Sequence, residues 1–84
     1  MTLQQLEYVM AVYRLKHFAK AAESCDVTQP TLSSMIQKLE DELGIKIFNR
    51  SNRGIIVTPE GEEFLSYARQ VIDQYSLPEL RYVD

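Results

Sequence analysis

The chain is poor in the residues that build cross-links, metal sites and phosphate loops. Its 84 residues include one cysteine, Cys25, and one histidine, His17, so an internal disulfide is excluded and a structural zinc site is not expected. Three scattered glycines form no phosphate-cradling loop. No apolar run is long enough to span a bilayer, and the polar, amphipathic start does not resemble a signal peptide. We therefore expect one small domain in a reducing cytoplasm, with no membrane segment, no cofactor and no enzyme activity.

The net charge of −3 is unevenly distributed along the chain. Up to Thr58 the basic residues slightly outnumber the acidic ones, whereas from Pro59 onward the acidic residues are in clear excess. Nucleic-acid-binding domains are usually basic, so the total charge does not favour such a partner. Because local fields matter more than the sum, the charge does not exclude one either.

Cap residues and apolar spacing predict three helices in the first half of the chain. Thr2 caps a first helix that is interrupted at 15–17, and a second helix runs from about 18 to 25. Thr28 caps a third helix, which ends at Leu43 because Gly44 supplies the left-handed residue. The turn at 26–28 is short, and two helices joined in this way form the helix-turn-helix pattern.

The second half of the chain predicts a two-stranded wing and a long fourth helix. Alternation over 45–48 and, less cleanly, over 55–57 predicts two short strands, with turn residues at 51–54. Thr58 and Pro59 then begin a helix that runs to Tyr75. The predicted fold is therefore mainly α, a winged helix-turn-helix followed by a long helix.

The outer face of the third helix is small, neutral and rich in hydrogen-bonding groups. A structural surface helix would more often carry Glu and Lys at such positions. Short amides and hydroxyls suit an edge that comes close to another polar surface, such as a DNA major groove. The face comprises Gln29, Thr31, Ser33, Ser34 and Gln37.

The apolar stripe of the fourth helix resembles a coiled-coil seam. It can pack on its own domain or on the same helix of a second copy, and we favour the second arrangement because an uncovered stripe is a liability. The predicted dimer interface comprises Phe64, Leu65, Ala68, Val71, Ile72 and Tyr75.

An ordered set of residues from about Thr2 to about Tyr75 resembles the LysR-type transcriptional regulators. The set is far more specific than a bare helix-turn-helix pattern. It comprises Phe18, Ala21-Ala22, Val27-Thr28-Gln29-Pro30-Thr31-Leu32-Ser33, Ile36, Leu39-Glu40, Glu42-Leu43-Gly44, Ile47-Phe48, Arg50 and Thr58-Pro59-Glu60-Gly61.

This resemblance implies a division of the chain into three parts. Residues 1–58 would form the winged helix-turn-helix, residues 59–76 the linker helix that pairs with a second copy, and residues 77–84 the start of an interdomain linker or tail. The effector-binding domain of the family is absent from this sequence. The implied partners are a second copy of the chain and double-stranded DNA at a pseudo-palindromic operator.

The resemblance and the exposed face together assign roles to site residues. Predicted base contacts are Gln29, Pro30, Ser33, Ser34 and Gln37. Predicted phosphate contacts are Thr28, Thr31, Lys38 and Arg50. Arg53 at the wing tip is predicted to enter a minor groove. Lys38 has the alternative of an ion pair with Asp41 or Glu42 one turn on.

Two departures distinguish this sequence from the usual pattern of the family. Many members carry a basic residue where Ser34 stands, which leaves the recognition face here almost uncharged. A serine often caps the second helix where His17 stands. Neither departure threatens the fold, but the first bears on the strength of binding.

The branch of the family and two other functions stay open at this point. Stretches such as 29–33 and 38–44 resemble the peroxide-sensing branch, whose redox cysteines belong to the absent domain, so Cys25 is expected to pack between helices. A module serving only protein–protein dimerisation is the alternative, and retention on heparin or nonspecific DNA at low salt would separate the two. A thiol switch at Cys25 is a third possibility and requires an accessible thiol of low pKa.

Overall fold

Six elements make up the part of the chain that the structure, a computed structural model, describes: residues 1–51 and 54–75, with side chains up to 72. They are α1 (Leu3–Leu15), α2 (Phe18–Ser24), α3 (Gln29–Leu43), β1 (Phe48–Ser51), β2 (Gly54–Val57) and α4 (Pro59–Tyr75). This order confirms the mainly helical winged fold. Arg53 and the predicted tail at 77–84 lie outside the described residues. Within the described ranges, no helix combines the length and the hydropathy needed to cross a membrane.

Side-chain caps fix the starts of the helices where the sequence predicts them. Thr2 and Gln5 form a capping box: the Thr2 hydroxyl accepts from the Gln5 amide at 3.1 Å, and the Gln5 side chain accepts from the Thr2 amide at 2.9 Å. His17 caps α2 through Nδ1, which accepts from the Lys20 amide at 3.1 Å. The imidazole is thus a helix cap at an exposed position.

The core lies between α1, α2 and α3 and includes the segment that leads into the wing. Its largest fully buried side chains come from α1, α3 and the segment before β1: Val9, Val12, Leu32, Leu39 and Ile47. In α2 the buried positions are Ala21 and Ala22, and these small side chains let the neighbouring helices approach closely. Residues at helical spacing are buried in both long helices, as in Leu6 and Val9 of α1 and Leu32, Ile36 and Leu39 of α3.

The first wing strand lies later in the chain than the alternation at 45–48 predicts. β1 begins at Phe48 and pairs antiparallel with β2, from Phe48 opposite Val57 to Ser51 opposite Gly54. Glu40 holds the chain just before the strand: one of its carboxylate oxygens accepts the amides of Ile47, at 2.8 Å, and Phe48, at 3.2 Å. Ile47 and Phe48 are both buried, so burial does not alternate where the sequence pattern does.

The start of α4 is fastened to the same segment that Glu40 holds. The Thr58 hydroxyl accepts from the Gly61 amide at 2.9 Å and donates to the carbonyl of Lys46, and the Thr58 amide donates to the carbonyl of Ile47 at 3.0 Å. Gly61 lies so close to this segment that a Cβ built on it would come within 2.5 Å of the Ile47 carbonyl oxygen. The base of the wing therefore connects α3 to α4.

Three residues of the predicted dimer stripe are buried within the chain itself. Leu65, Ala68 and Ile72 are 2–3% exposed, and α4 packs against α1. In the single chain, these three side chains therefore pack on their own domain, as the alternative arrangement predicts. Phe64 and Val71 are half-buried, the side chain of Tyr75 lies outside the described residues, and the dimer interface remains a prediction.

Candidate nucleic-acid interface

The N-terminus of α3 projects an exposed edge that is polar but uncharged. Thr28 caps the helix: its hydroxyl accepts the amide of Thr31 at 3.3 Å and donates to the Thr31 hydroxyl at 2.8 Å. Both threonines are exposed, as are Gln29 and Pro30 in the first turn. The first-turn amides and this hydroxyl pair together suit an anionic oxygen, because a helix N-terminus carries partial positive charge.

Four of the five predicted base contacts, Gln29, Pro30, Ser34 and Gln37, are exposed on α3. Pro30, Ser34 and Gln37 follow each other at spacings of four and three residues, and Gln29 lies beside Pro30 in the first turn. Their amides and hydroxyls have the donors and acceptors that read base edges. The structure thus brings together the residues that the sequence predicts on this edge.

Ser33, the fifth predicted base contact, differs from the other four. It is half-buried, and its hydroxyl oxygen accepts a hydrogen bond from Nη2 of Arg50 at 3.2 Å. The same guanidinium lies over the ring of Phe18, with its central carbon 4.0 Å from the ring centroid. Arg50, on β1, therefore joins α2, α3 and the wing at one place on the exposed surface.

A shallow groove separates α3 from β1, and charges of both signs line it. Arg50 and Lys46 lie along the groove, and Glu40 lies at its base. Lys46 Nζ is 3.7 Å from the second carboxylate oxygen of Glu40, so this ion pair partly neutralises the only buried charge of the groove among the described residues. Arg50 is exposed beside the α3 edge and is in neither ion pair of the described residues.

Lys38 is exposed on α3 and does not form the ion pair that was its alternative. In the described part of the chain, the ion pairs join the N-terminal ammonium to Glu42 and Lys46 to Glu40. Neither Asp41 nor Glu42 lies within ion-pair distance of Lys38. Its ammonium is available to an external anion, as the phosphate prediction requires. Arg53, predicted for the minor groove, lies outside the described residues.

Two residues that shape this surface, Phe18 and Glu40, belong to the family pattern but had no predicted role. Both act through contacts with residues distant in sequence, Phe18 under Arg50 and Glu40 against the amides at 47 and 48. The signal for Glu40 was its position: it lies one helical turn after Ile36 and beside Leu39, on the buried side of α3, and is 7% exposed. An acidic residue at such a position must find hydrogen-bond donors.

Cys25 lies away from this surface and lacks the features of a reactive thiol. It is half-buried after α2, and burial raises the pKa of its thiol. A hydrogen-bond contact with Ser24 at 3.9 Å and the charge of Arg14 act in the opposite direction without reversing the effect, and the charge of Glu7 adds to it. A thiol switch needs a lowered pKa, so the structure does not favour that possibility. Among residues 1–51 and 54–75, no group of three or more His, Cys, Asp or Glu side chains could hold a metal ion.

Comparison with known proteins assigns the chain to one family. Residues 3–62 match the family model of the bacterial regulatory helix-turn-helix proteins of the lysR family. The hydrogen peroxide-inducible genes activator of Haemophilus influenzae is 46% identical over 77 residues, which is 92% of this chain and 26% of that protein. The chain thus spans about a quarter of the length of the curated relatives it matches.

Solved structures agree with the sequence matches. A cysteine-to-aspartate variant of full-length OxyR from Pseudomonas aeruginosa superimposes with a TM-score of 0.83 at 46% identity. The match covers 90% of this chain and 25% of that one. BenM_DBD, in a complex with catB site 1 DNA, gives 0.85 at 41% identity, over 90% of this chain and 82% of that one. These relatives are regulators of transcription and not enzymes. The chain belongs to the lysR family of bacterial regulatory helix-turn-helix proteins.

Proposed function

We propose that this chain binds double-stranded DNA with sequence specificity, as the DNA-binding module of a transcriptional regulator. In this proposal α3 enters the major groove, where Gln29, Pro30, Ser34 and Gln37 meet base edges. Thr28, Thr31, Lys38 and Arg50 hold phosphates, and Arg53 reaches a minor groove from the wing. A DNA-binding role would also place the protein in the cytoplasm of a bacterial cell.

One observation carries the proposal: the exposed edge of α3 is uncharged and polar, and cations flank it. Gln29 and Ser34 offer hydrogen-bonding groups without charge, and Lys38 and Arg50 are exposed beside them. Side chains of the first kind read bases, and those of the second kind bind phosphates without reading sequence. A related DNA-binding domain has been solved in complex with DNA, which supports DNA binding by this chain.

We infer that the active form is a homodimer on a pseudo-palindromic operator. A two-fold axis would present two copies of α3 to two half-sites, with a spacing set by α4. Since Leu65, Ala68 and Ile72 are buried in the single chain, a second copy would contact the half-buried Phe64 and Val71 and the exposed side of α4. The exposed side includes Tyr67, whose side chain is 62% exposed.

Selection of bound duplexes from a random DNA library, at two salt concentrations, tests the proposal directly. Recovery of a two-fold-symmetric motif is the expected result, and it would also give the half-site spacing. Recovery of no motif by a chain that is dimeric, and that is not retained on heparin or nonspecific DNA at low salt, would refute DNA binding in favour of the dimerisation module.

Two substitutions separate base contacts from phosphate contacts on the selected duplex. Gln29→Ala should lose about 1–3 kcal/mol of discrimination at one base position. Arg50→Ala should weaken selected and random duplexes alike and reduce the slope of log affinity against log salt by about 1. Gln4→Ala and Arg14→Ala, at exposed positions of α1, are the matched controls. Equal losses for both site variants on both duplexes would contradict the division of roles.

The relatives named for hydrogen peroxide-inducible genes favour a regulator of that kind for the protein to which this chain belongs. The selected motif tests this proposal, because it can be located in the genome of the source organism. Motif copies upstream of genes for peroxide-removing enzymes would support a peroxide regulator. Motif copies only beside unrelated genes would contradict it.

A further inference from the structure

Arg50 is a surface arginine whose side chain is held from two sides. Its guanidinium lies 4.0 Å above the centroid of the Phe18 ring, and its Nη2 donates to the Ser33 hydroxyl at 3.2 Å. An arginine without such contacts samples many rotamers, and binding an anion must then order the side chain. The two contacts fix the guanidinium before any ligand arrives.

The Phe18 ring is itself held by the core. It meets Phe48 edge-on, with ring centroids 6.4 Å apart and an interplanar angle of 83°. Phe48 is buried and pairs with Val57 as the first residue of β1. The Phe18 ring therefore has little freedom to move relative to the wing, which carries Arg50.

We propose that Phe18 and Ser33 are positioning residues that hold the Arg50 guanidinium in place for a DNA phosphate, an inference that rests on the proposed function. The guanidinium is planar and carries five N–H donors in a fixed fork. Arg50 is exposed, and the bond to Ser33 uses one of these donors. The remaining donors can bind two phosphate oxygens without reordering the side chain.

This arrangement assigns to Ser33 a role different from the base contact that the sequence predicts. A half-buried hydroxyl that accepts from Arg50 faces the groove between α3 and β1, not the exposed edge. Loss of a base contact would change the preference at one base position. Loss of a positioning contact would weaken all sequences to the same degree.

A double-mutant cycle on the selected and random duplexes tests the proposal. The cycle comprises Phe18→Leu, Arg50→Ala and the double variant Phe18→Leu/Arg50→Ala, and Phe18→Tyr and Ser33→Ala are measured beside it, with affinities from fluorescence anisotropy. Phe18→Leu keeps an apolar side chain but removes the aromatic face, and should weaken both duplexes by about two- to fivefold. Phe18→Tyr keeps the face and should bind like the wild type. In the Arg50→Ala background, Phe18→Leu should have no further effect.

The outcomes separate this inference from the proposed function. An equal loss from Phe18→Leu with and without Arg50 would show a structural effect only and overturn the positioning role. Binding that survives Arg50→Ala without loss would overturn it too, while leaving DNA binding by α3 intact. Absence of binding by the wild type would overturn both proposals. For Ser33→Ala, equal weakening of both duplexes supports the inference, and a changed preference at one base position contradicts the role of Ser33.

A measurement without DNA tests the contact itself. In the free protein, the aromatic ring should shift the NMR signals of the Arg50 side-chain protons upfield. Phe18→Leu should move these signals to ordinary arginine positions, and Phe18→Tyr should preserve the shift. Ordinary positions in the wild type would overturn the inference, whatever the DNA affinities show.

Discussion

Replacement of the Glu40 side chain should lower the free energy of unfolding, because its carboxylate accepts two buried amides. It lies on α3, is 7% exposed, and accepts the amides of Ile47 and Phe48 through one carboxylate oxygen, at 2.8 and 3.2 Å. Both hydrogen bonds are buried. The substitution Glu40→Ala therefore leaves two buried donors without an acceptor, at the point where the chain passes from α3 to the wing.

The expected magnitude follows from those two donors. A buried donor that loses its acceptor costs about 1–3 kcal/mol, and relaxation with entry of water reduces the sum, so Glu40→Ala should lose about 2–4 kcal/mol. Glu40→Gln keeps an acceptor oxygen but loses the charge that strengthens the bonds, and should lose about 1 kcal/mol. The ion pair with Lys46 adds little, because the Lys46 side chain is 64% exposed.

Urea denaturation and thermal unfolding of the free chain measure these losses. For a domain of this size, about 1 kcal/mol corresponds to roughly 4–8 °C in Tm, so Glu40→Ala should unfold roughly 8–32 °C below the wild type. Asp41→Ala, an exposed carboxylate at the next position of α3, is the matched control and should change stability by less than about 0.5 kcal/mol. Similar stability losses for the two alanine variants would refute the account of Glu40.

Two further predictions concern Gly61 and Cys25. Gly61→Ala should lower the free energy of unfolding by about 1–3 kcal/mol, because the new Cβ would lie 2.5 Å from the Ile47 carbonyl oxygen and 3.0 Å from the Thr58 hydroxyl oxygen. An unchanged or higher Tm would contradict the close approach of α4. Since burial raises the pKa of Cys25, its alkylation by iodoacetamide near neutral pH should be slower in the folded chain than in urea. Faster alkylation of the folded chain would contradict this prediction. The folded state also holds the thiol proton more tightly than the unfolded state. The difference in free energy of unfolding between the wild type and Cys25→Ser should therefore be constant below the ordinary pKa of 9.0 and fall as pH rises above it.

The helices could be predicted because their signals are local. Thr2, Thr28 and Thr58 cap helices where the sequence places caps, and each hydroxyl accepts an amide three residues on. Gly44 ends α3 in the left-handed conformation. Such signals act over one helical turn, so a single sequence displays them in full.

The first wing strand was misplaced because the decisive contact is not local. The alternation at 45–48 resembles a strand, but Glu40 takes the amides of Ile47 and Phe48 from seven and eight residues away. The sequence pattern cannot distinguish side chains that alternate because of pairing from those that alternate because of packing. Only the tertiary position of α3 decides between them.

The candidate site likewise has a part that local sequence signals predict and a part that depends on contacts between distant residues. Exposure of Gln29, Pro30 and Ser34 follows from helical spacing, and the structure places them on one edge. The bond between Arg50 and Ser33 spans 17 residues, and the contact of Arg50 with Phe18 crosses from β1 to α2. No periodicity in the sequence relates these positions, and so the placement of Arg50 emerged only from the fold.

The helices α3 and α4 are connected through the same short segment of the chain. Glu40 of α3 and Thr58 at the start of α4 both form hydrogen bonds with the short segment 46–48. α4 is roughly 25 Å long, so a tilt of about 5° at its start moves its far end by about 2 Å. A partner that tilts α4 would therefore strain the hydrogen bonds that tie segment 46–48 to α3.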